Sequence, residues 1–224
     1  FEMVKIFEKS KPEIVIHLAA QFSYNNIQNK VRGLIESNIL FGTQILEAMS
    51  LTSVSNFINT GSYWQHSNSL IYDPNSLYAA TKESFQNIIV FYSKITQLKS
   101  ITLKIFDTYG PNDFRNKIIP SLINAINTRE KIILSPGEQL MDIVYISDVV
   151  NAYIRAIDIL TSEDKTAINE KYFVSSNQHI KLKHLIEKFI KIMGCAIDIE
   201  WGGIPYRARQ IMIPVKDVPI LPNW

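Results

Sequence analysis

Short apolar, β-branched runs alternate along this chain with longer segments whose apolar residues recur at helical spacing. Such runs, bounded by polar and turn residues, predict buried strands, and the segments between them predict packed helices. The predicted strands cover 14–18, 56–60, 101–106, 143–146 and 172–174. The predicted helices cover 34–49, 78–95, 118–126 and 182–193, and another runs through Ala152 and Ala156 to Leu160. Near-continuous apolar strands separated by helices favour a parallel sheet covered on both faces, so an α/β fold is predicted.

The ligand site of such a sheet is expected beyond the carboxyl ends of its strands. In this chain those ends carry His17, residues 60–62, residues 107–109, and Ser147 with Asp148. Ser147 and Asp148 are also expected to cap the helix that follows them. The polar residues along this edge are therefore the first candidates for function.

The composition is that of an ordinary soluble globular protein, with 46% hydrophobic and 20% charged residues. A net charge of +2 gives no reason to expect nucleic acid or an anionic membrane as a partner. No apolar run reaches the roughly 18 residues of a membrane span. Cys195 is the single cysteine, which fits a reducing cytoplasm. The histidines and Cys195 show no metal-ligand spacing, so no metal site is predicted.

Tyr78 and Lys82 lie four residues apart, which places their side chains on one face of a helix. An ammonium group beside a phenol favours the phenolate, so we expect Lys82 to lower the pKa of Tyr78 toward the range of acid–base chemistry. The spacing alone is weak evidence, because a solvated helix face that carries one tyrosine and one lysine is common. Other motifs are needed to interpret the pair.

Several further segments, in collinear order, resemble motifs of the extended short-chain dehydrogenase/reductases, the NAD(P)-dependent epimerase/dehydratase family that acts on nucleotide sugars. Tyr78 and Lys82 match the family's Tyr-x-x-x-Lys, and residues 59–62 resemble its Ser/Thr-rich strand end. The other similar segments are 17–20, 38–43, 104–111, 141–149 and 205–207. Together the matches run from about Pro12 to Arg207, which is most of the chain.

The resemblance implies a set of site residues. Tyr78 would exchange a proton with the sugar oxygen, Lys82 would lower the Tyr78 pKa and bind the nicotinamide ribose, and Ser62 would bind and polarise the same sugar oxygen. Thr60 is the alternative to Ser62. The implied cofactor is NAD or NADP, with Ala19, Ala20, Asn38, Thr60, Tyr78, Lys82 and Phe106 as its contacts. The implied substrate contacts are Asp107, Arg115 and Arg207.

Several of these residues also have a structural interpretation. His17 follows three apolar strand residues and is more often a core histidine than an acid–base group. Asn38 lies inside a helix, where a bond to neighbouring backbone is expected, and Asp148 can be a helix cap only. Arg115 and Arg207 suit nucleotide phosphates, yet most arginines are merely solvated.

Three positions depart from the family pattern. Lys104 stands where the family usually has Arg, which removes bidentate recognition. Asp107 stands where the family usually has Asn, and an ionised carboxylate accepts but does not donate hydrogen bonds. Met141 replaces a usual Arg. Substrate contacts are therefore expected to differ from those of better-known members.

The family begins with a strand, a glycine-rich turn and a helix that together hold the cofactor pyrophosphate. This chain has eight glycines and no such cluster, and its first strand resembles the family's fourth. It is therefore interpreted as a fragment with a Rossmann-type doubly wound sheet that lacks its first βα units. Residues 1–112 are assigned to this partial dinucleotide-binding domain. Residues 113–224 are assigned mainly to a small substrate-binding region, with 142–160 and 171–176 returning to the first domain.

The first functional hypothesis is a nucleotide-sugar oxidoreductase of the bacterial deoxyhexose branch, which supplies O-antigen. It would be a 4-ketoreductase acting on a CDP-linked keto sugar. A 4-epimerase is not separated from it by these motifs, whereas a dehydratase usually has an acid–base pair where Tyr63 and Trp64 stand. A catalytically silent fragment that acts as a folded binding module is the alternative. The family also implies a homodimer formed through helix 34–49 and the helix that starts at Tyr78.

Overall fold

The computed structural model describes residues 2–23, 30–162 and 168–224. Within them the strands are β1 (Ile14–His17), β2 (Asn56–Ser62), β3 (Lys99–Ile105), β4 (Asp107–Tyr109), β5 (Ile132–Leu134), β6 (Leu140–Met141), β7 (Ile143–Tyr145), β8 (Glu170–Val174), β9 (Ile180–Lys181) and β10 (Ile199–Trp201). The helices are α1 (Glu2–Ser10), α2 (Val31–Ile35), α3 (Phe41–Thr52), α4 (Leu77–Ile95), α5 (Ile118–Thr128), α6 (Ile146–Thr161) and α7 (Leu182–Met193). A π-helical turn (Glu36–Leu40) joins α2 to α3, and a 3₁₀ turn (Tyr63–Gln65) follows β2.

The centre of the fold is a parallel sheet whose strands lie in the order β1, β2, β3, β8. Asn56 of β2 pairs with Ile14 of β1 on one side and with Lys99 of β3 on the other. Because the strands are parallel, their carboxyl ends meet along one edge of the sheet. The predicted α/β fold with a parallel sheet is confirmed, and the candidate polar residues of β1 and β2 lie on a common edge.

Helices cover both faces of this sheet. Successive strand residues point to opposite faces, so Phe57 packs in one apolar layer and Ile58 in the other. Helices α1, α3 and α4 contribute to the layer around Phe57, and α6 contributes to the layer around Ile58. Gly42 of α3 lies against the Phe85 ring of α4, and a Cβ at Gly42 would come within 2.5 Å of that ring. Glycine therefore lets α3 and α4 pack closely beneath the sheet edge.

A third apolar cluster lies in the C-terminal half, around Leu122 of α5 and Leu185 and Ile186 of α7. Two short strand pairs accompany it, β5 with β10 in parallel and β6 with β9 antiparallel. The strands β4 and β7 also pair, which brings Asp107 beside Ile143. The domain boundaries inferred from the sequence stay a prediction. None of the described helices combines the length and the apolar character needed to cross a membrane.

Two local predictions are corrected. Helix α6 begins at Ile146, so Ser147 and Asp148 lie inside its first turn instead of capping it, and Tyr145 occupies the cap position without a side-chain hydrogen bond. The Asp148 carboxylate still suits a helix N-terminus because of the helix dipole. Helix α1 was not assigned from the sequence; its Phe7 is buried against the layer that contains Phe57.

Candidate active site

Tyr78 and Lys82 lie in the first two turns of α4, at the carboxyl edge of the sheet. Ser76 caps this helix, since its side chain accepts a hydrogen bond of 3.2 Å from the Ala79 amide. The Lys82 ammonium lies 5.8 Å from the centre of the Tyr78 ring. The predicted pairing of the two side chains on one helix face is therefore present in the folded chain.

Lys82 is only 2% exposed. Burial disfavours the charged form of the ammonium group and lowers the pKa of Lys82 to about 8. Among the hydrogen bonds between described residues, none is donated by this ammonium group. A buried lysine in this condition retains donors for the oxygens of a ligand.

Tyr78 is surrounded by aromatic rings. The Phe22 ring lies 5.1 Å away and the Trp64 ring 6.3 Å away, each centroid to centroid, and both meet Tyr78 edge to face. Burial raises the pKa of Tyr78 to about 12. The expectation that Lys82 lowers this pKa is therefore wrong for the structure, because desolvation outweighs a cation that lies over the ring and does not bond the hydroxyl. Tyr78 holds its proton at neutral pH.

Ser62 ends β2 and is buried. Its hydroxyl oxygen accepts a hydrogen bond of 3.2 Å from the Trp64 amide, and its own amide donates one of 2.8 Å to Gln65 Oε1. These reciprocal bonds form a capping box on the 3₁₀ turn after the strand. Among described residues the Ser62 hydroxyl donates to no acceptor, so its hydrogen is available to a ligand.

Thr60, the alternative to Ser62, has its hydroxyl engaged. It donates to the His17 carbonyl at 2.8 Å and lies 2.6 Å from the Tyr153 hydroxyl. A threonine hydroxyl has one hydrogen, so Tyr153 is the donor in the second bond. Tyr153 comes from α6, and sequence analysis missed it because 93 residues separate it from Thr60. Burial raises the pKa of Tyr153 to about 12.

Asn38, predicted as a cofactor contact, forms hydrogen bonds within the protein. Its amide nitrogen donates to the Gln21 carbonyl and to the Thr81 hydroxyl, both at 2.9 Å, and its oxygen accepts from the Gln21 amide at 2.7 Å. These bonds favour the structural interpretation, with Asn38 holding the segment after Ala20 against α4. Ala19 and Ala20 themselves are exposed just beyond β1.

His17 and Phe106 are both core residues in this structure. His17 lies among the rings of Phe41, Phe57 and Phe85, and burial together with the Lys82 charge lowers its pKa to about 4. The Phe106 side chain stacks on Tyr63 at 4.5 Å and is 3% exposed. The Phe106 side chain therefore fills the core, and the cofactor contact predicted for this residue stays a prediction.

The predicted substrate contacts are only partly brought together. Asp107 accepts a hydrogen bond of 2.8 Å from the Tyr63 hydroxyl, and burial raises the pKa of Asp107 while Lys117 and Arg207 oppose that rise. Lys117, which sequence analysis missed, bonds the Thr108 carbonyl and hydroxyl at 3.1 Å. Arg115 instead forms a two-bond pair with Asp113 on the surface. Arg115 is thus already neutralised by its neighbour.

This site lies within a stretch of sequence that matches a known family. A profile of the NAD dependent epimerase/dehydratase family matches residues 2–170. The chain belongs to this family. The resemblance to extended short-chain dehydrogenase/reductases is thereby confirmed, and the prediction of a nicotinamide dinucleotide is confirmed at the level of the family, which is NAD dependent.

Individual relatives agree with the family assignment. The CDP-abequose synthase of Yersinia pseudotuberculosis is 30% identical over 207 residues, which are 91% of this chain and 70% of that protein. The dTDP-D-glucose 4,6-dehydratase of Dictyostelium discoideum is 30% identical over 210 residues, which are 84% of this chain and 46% of that protein. The chain thus resembles family members that carry out different reactions.

A solved structure supports the same fold. The UDP-glucuronic acid 4-epimerase from Bacillus cereus, in complex with UDP-glucuronic acid and NAD, superposes with a TM-score of 0.86 at 20% identity. The superposition covers 97% of this chain and 70% of the epimerase chain. The fold of this family member is therefore the Rossmann type that the sequence predicted.

Proposed function

We propose that this chain is an NAD(P)-dependent 4-ketoreductase that acts on a nucleotide-linked 4-keto sugar, in the manner of the CDP-abequose synthases. The observation that carries the proposal is the grouping of a protonated Tyr78, a buried Lys82 ammonium and a Ser62 hydroxyl at one sheet edge. Similarity to two CDP-abequose synthases, at 30% and 26% identity, supports a CDP-linked substrate of deoxyhexose and O-antigen biosynthesis.

The residues present fit the nicotinamide end of the cofactor. The Lys82 ammonium donates no hydrogen bond to a described residue, so it suits the hydroxyl oxygens of a ribose. The small side chains of Ala19 and Ala20 leave room beside the end of β1. The 224 residues contain no glycine-rich turn for the pyrophosphate. When bound, NAD(P)H supplies the hydride for reduction.

The protein side of the reaction is a proton supply at the sugar oxygen. Negative charge develops on the carbonyl oxygen during reduction, and the Tyr78 proton neutralises this charge while it develops. The Ser62 hydroxyl donates a second hydrogen bond to the same oxygen, and the Lys82 charge stabilises the phenolate left on Tyr78. The Phe22 and Trp64 rings lie beside Tyr78 and against each other.

Two observations favour ketone reduction over related reactions. Burial raises the pKa of Tyr78 to about 12, so Tyr78 carries at neutral pH the proton that ketone reduction requires. Tyr63 and Trp64 follow Ser62, so no carboxylate stands where a dehydratase has its acid–base pair. We further propose that Asp107, Lys117 and Arg207 bind the nucleotide part of the substrate, and that the protein works in the cytoplasm.

The decisive experiment supplies the purified chain with a CDP-linked 4-keto-6-deoxy sugar and either NADPH or NADH. The expected result is net oxidation of the reduced nicotinamide, with one equivalent consumed for each keto sugar reduced. A 4-epimerase would interconvert sugars with no net consumption. A silent binding module would do neither, and a titration with NADPH and NADH that follows energy transfer from the tryptophans then determines whether the cofactor binds at all.

We also propose a homodimer through α3 and α4. These helices expose large apolar side chains, including Leu51 at 64%, Phe91 at 56% and Ile95 at 60%. Burying side chains of this kind is a common reason for stable association. Sedimentation velocity of the purified chain is expected to give twice the mass of the 25.7 kDa chain.

The variant Phe91→Glu is expected to sediment as a monomer, because a carboxylate at this position would be buried without a partner. Ile192→Glu is the matched control, since Ile192 lies on α7 and is 83% exposed. It is expected to leave the dimer intact. A monomeric parent chain, or a Phe91→Glu variant that still dimerises, contradicts the proposed interface.

A further inference from the structure

A chain of buried polar groups links the Ser62 loop to α4 and β3. Its members are Gln65 at 0% exposure, His66 at 5%, Lys104 at 4%, and Glu83, whose side chain is 16% exposed. The proposed reaction uses none of these groups. Buried polar groups that all bond one another hold their side chains in fixed directions.

The Glu83 carboxylate sets the direction of the first bonds. It accepts from the Gln65 amide nitrogen at Oε2 and from the Gln86 amide nitrogen at Oε1, the latter at 2.9 Å. An ionised carboxylate only accepts, so the NH₂ end of Gln65 has to face Glu83. The oxygen end of Gln65 therefore faces Ser62, where it accepts from the Ser62 amide at 2.8 Å.

Lys104 faces Glu83 from the other side. Its ammonium lies 3.6 Å from Glu83 Oε2 and 2.7 Å from His66 Nε2. An ammonium group only donates, so Nε2 of His66 accepts and its Nδ1 carries the hydrogen toward the Ile71 carbonyl at 3.1 Å. Burial and the Lys104 charge lower the pKa of His66, which favours this neutral form.

The bond directions lead to the Ser62 hydroxyl. With its amide bound to Gln65, Ser62 presents its Oγ as acceptor to the Trp64 amide at 3.2 Å. The remaining group is the hydroxyl hydrogen, which donates to no described residue. The carboxylate that sets these directions directly follows Lys82 in the sequence, so one helix, α4, carries Tyr78, Lys82 and Glu83.

We propose that Glu83 is a positioning residue that orients Ser62 through Gln65, so that the Ser62 hydroxyl hydrogen points to the ligand oxygen; its effect on turnover rests on the proposed function. In Glu83→Gln the side chain at position 83 donates as well as accepts. The Gln65 side-chain amide is then free to rotate by about 180°, which exchanges its oxygen and its nitrogen. Gln65→Glu combined with Glu83→Gln restores fixed bond directions. The carboxylate at position 65 then accepts from the Ser62 backbone amide and from the side-chain amide at position 83.

The test measures hydrogen exchange of the Ser62 and Trp64 amides by NMR, together with kcat and KM for keto-sugar reduction. In Glu83→Gln we expect exchange protection of both amides to fall by about tenfold or more and kcat to fall roughly 10- to 100-fold, with KM within about twofold. The double variant is expected to recover both. Ser84→Ala, an exposed neighbour on α4, is the matched control and should change neither.

The outcomes separate this proposal from the proposed function. Unchanged Ser62 protection in Glu83→Gln overturns the positioning role. Lost protection with an unchanged kcat overturns its part in turnover, and so does a loss of activity that the double variant does not recover. A parent chain without turnover overturns the proposed function instead, and the exchange measurement then still decides whether Glu83 orients Ser62.

Discussion

Tyr78→Phe is expected to lower the turnover of the keto sugar by roughly 100- to 10,000-fold, the usual contribution of a positioned acid or base. The change removes the only atom of Tyr78 that carries a transferable proton. The phenylalanine ring keeps its edge-to-face contacts with Phe22 and Trp64, so the fold and the site walls are expected to stay in place. Loss should therefore appear in kcat, with KM changed little.

The measurement is the rate of reduced-nicotinamide oxidation by the parent chain and the variant. Tyr92→Phe is the matched control, since Tyr92 lies on the same helix and its hydroxyl bonds Glu47 at 2.8 Å, away from the site. A Tyr78→Phe variant with parental turnover contradicts the assignment. Tyr153→Phe then tests the other buried phenol, which bonds Thr60.

Lys82→Met is expected to lower turnover by roughly 100-fold or more, because the charge that stabilises the developing phenolate is lost. The parent should also show a specific pH dependence. Because the pKa of Lys82 is near 8, its ammonium form disappears as the pH rises through about 8. Turnover should therefore fall above this pH. Tyr78, with a pKa near 12, keeps its proton throughout this range.

The stability of the fold is expected to change in the opposite direction. Burial lowers the folded-state pKa of Lys82 from 10.5 to about 8, so between these values the unfolded chain binds more protons than the folded one. The free energy of unfolding therefore rises with pH in this window, by on the order of 3 kcal/mol. Lys82→Met should lack this rise. Opposite trends of activity and stability exclude unfolding as the cause of lost turnover.

These trends are measured by pH profiles of kcat and by urea unfolding across the same window. Lys82→Arg, which stays charged, should lose the alkaline fall in turnover near pH 8. Lys94→Met is the control, since Lys94 is exposed in the last turn of α4. A parental pH profile in Lys82→Met would contradict the role given to the ammonium group.

The sequence alone located much of the site. Tyr78 and Lys82 share a helix face because of their four-residue spacing, and Ser62 ends a strand because an apolar run stops there. The start of α6 was misplaced because Ser147 and Asp148 have cap chemistry, whereas the strand before them is shorter than predicted. Phe106 lies at a strand end, as expected, but the sequence did not show that its side chain turns into the core.

Contacts between distant segments were not predictable in this way. Asn38 bonds Gln21 and Thr81 across 17 and 43 residues, and Tyr153 reaches Thr60 across 93. Lys117, the residue before α5, joins the surroundings of Asp107 because its side chain folds back onto Thr108. Each of these pairs depends on how elements pack, and packing leaves no periodic signal in the sequence.

The sequence by itself determined the parallel α/β fold, the family and the Tyr78–Lys82 pair, because apolar periodicity and short motif spacing are local properties of the chain. Only the tertiary structure decided the protonation of that pair and the orientation of Ser62. Burial by Phe22 and Trp64 raises the pKa of Tyr78 where spacing alone predicted a fall. The physical reason is that a pKa and a hydrogen-bond direction depend on every group packed around a side chain, and those groups come from distant parts of the sequence.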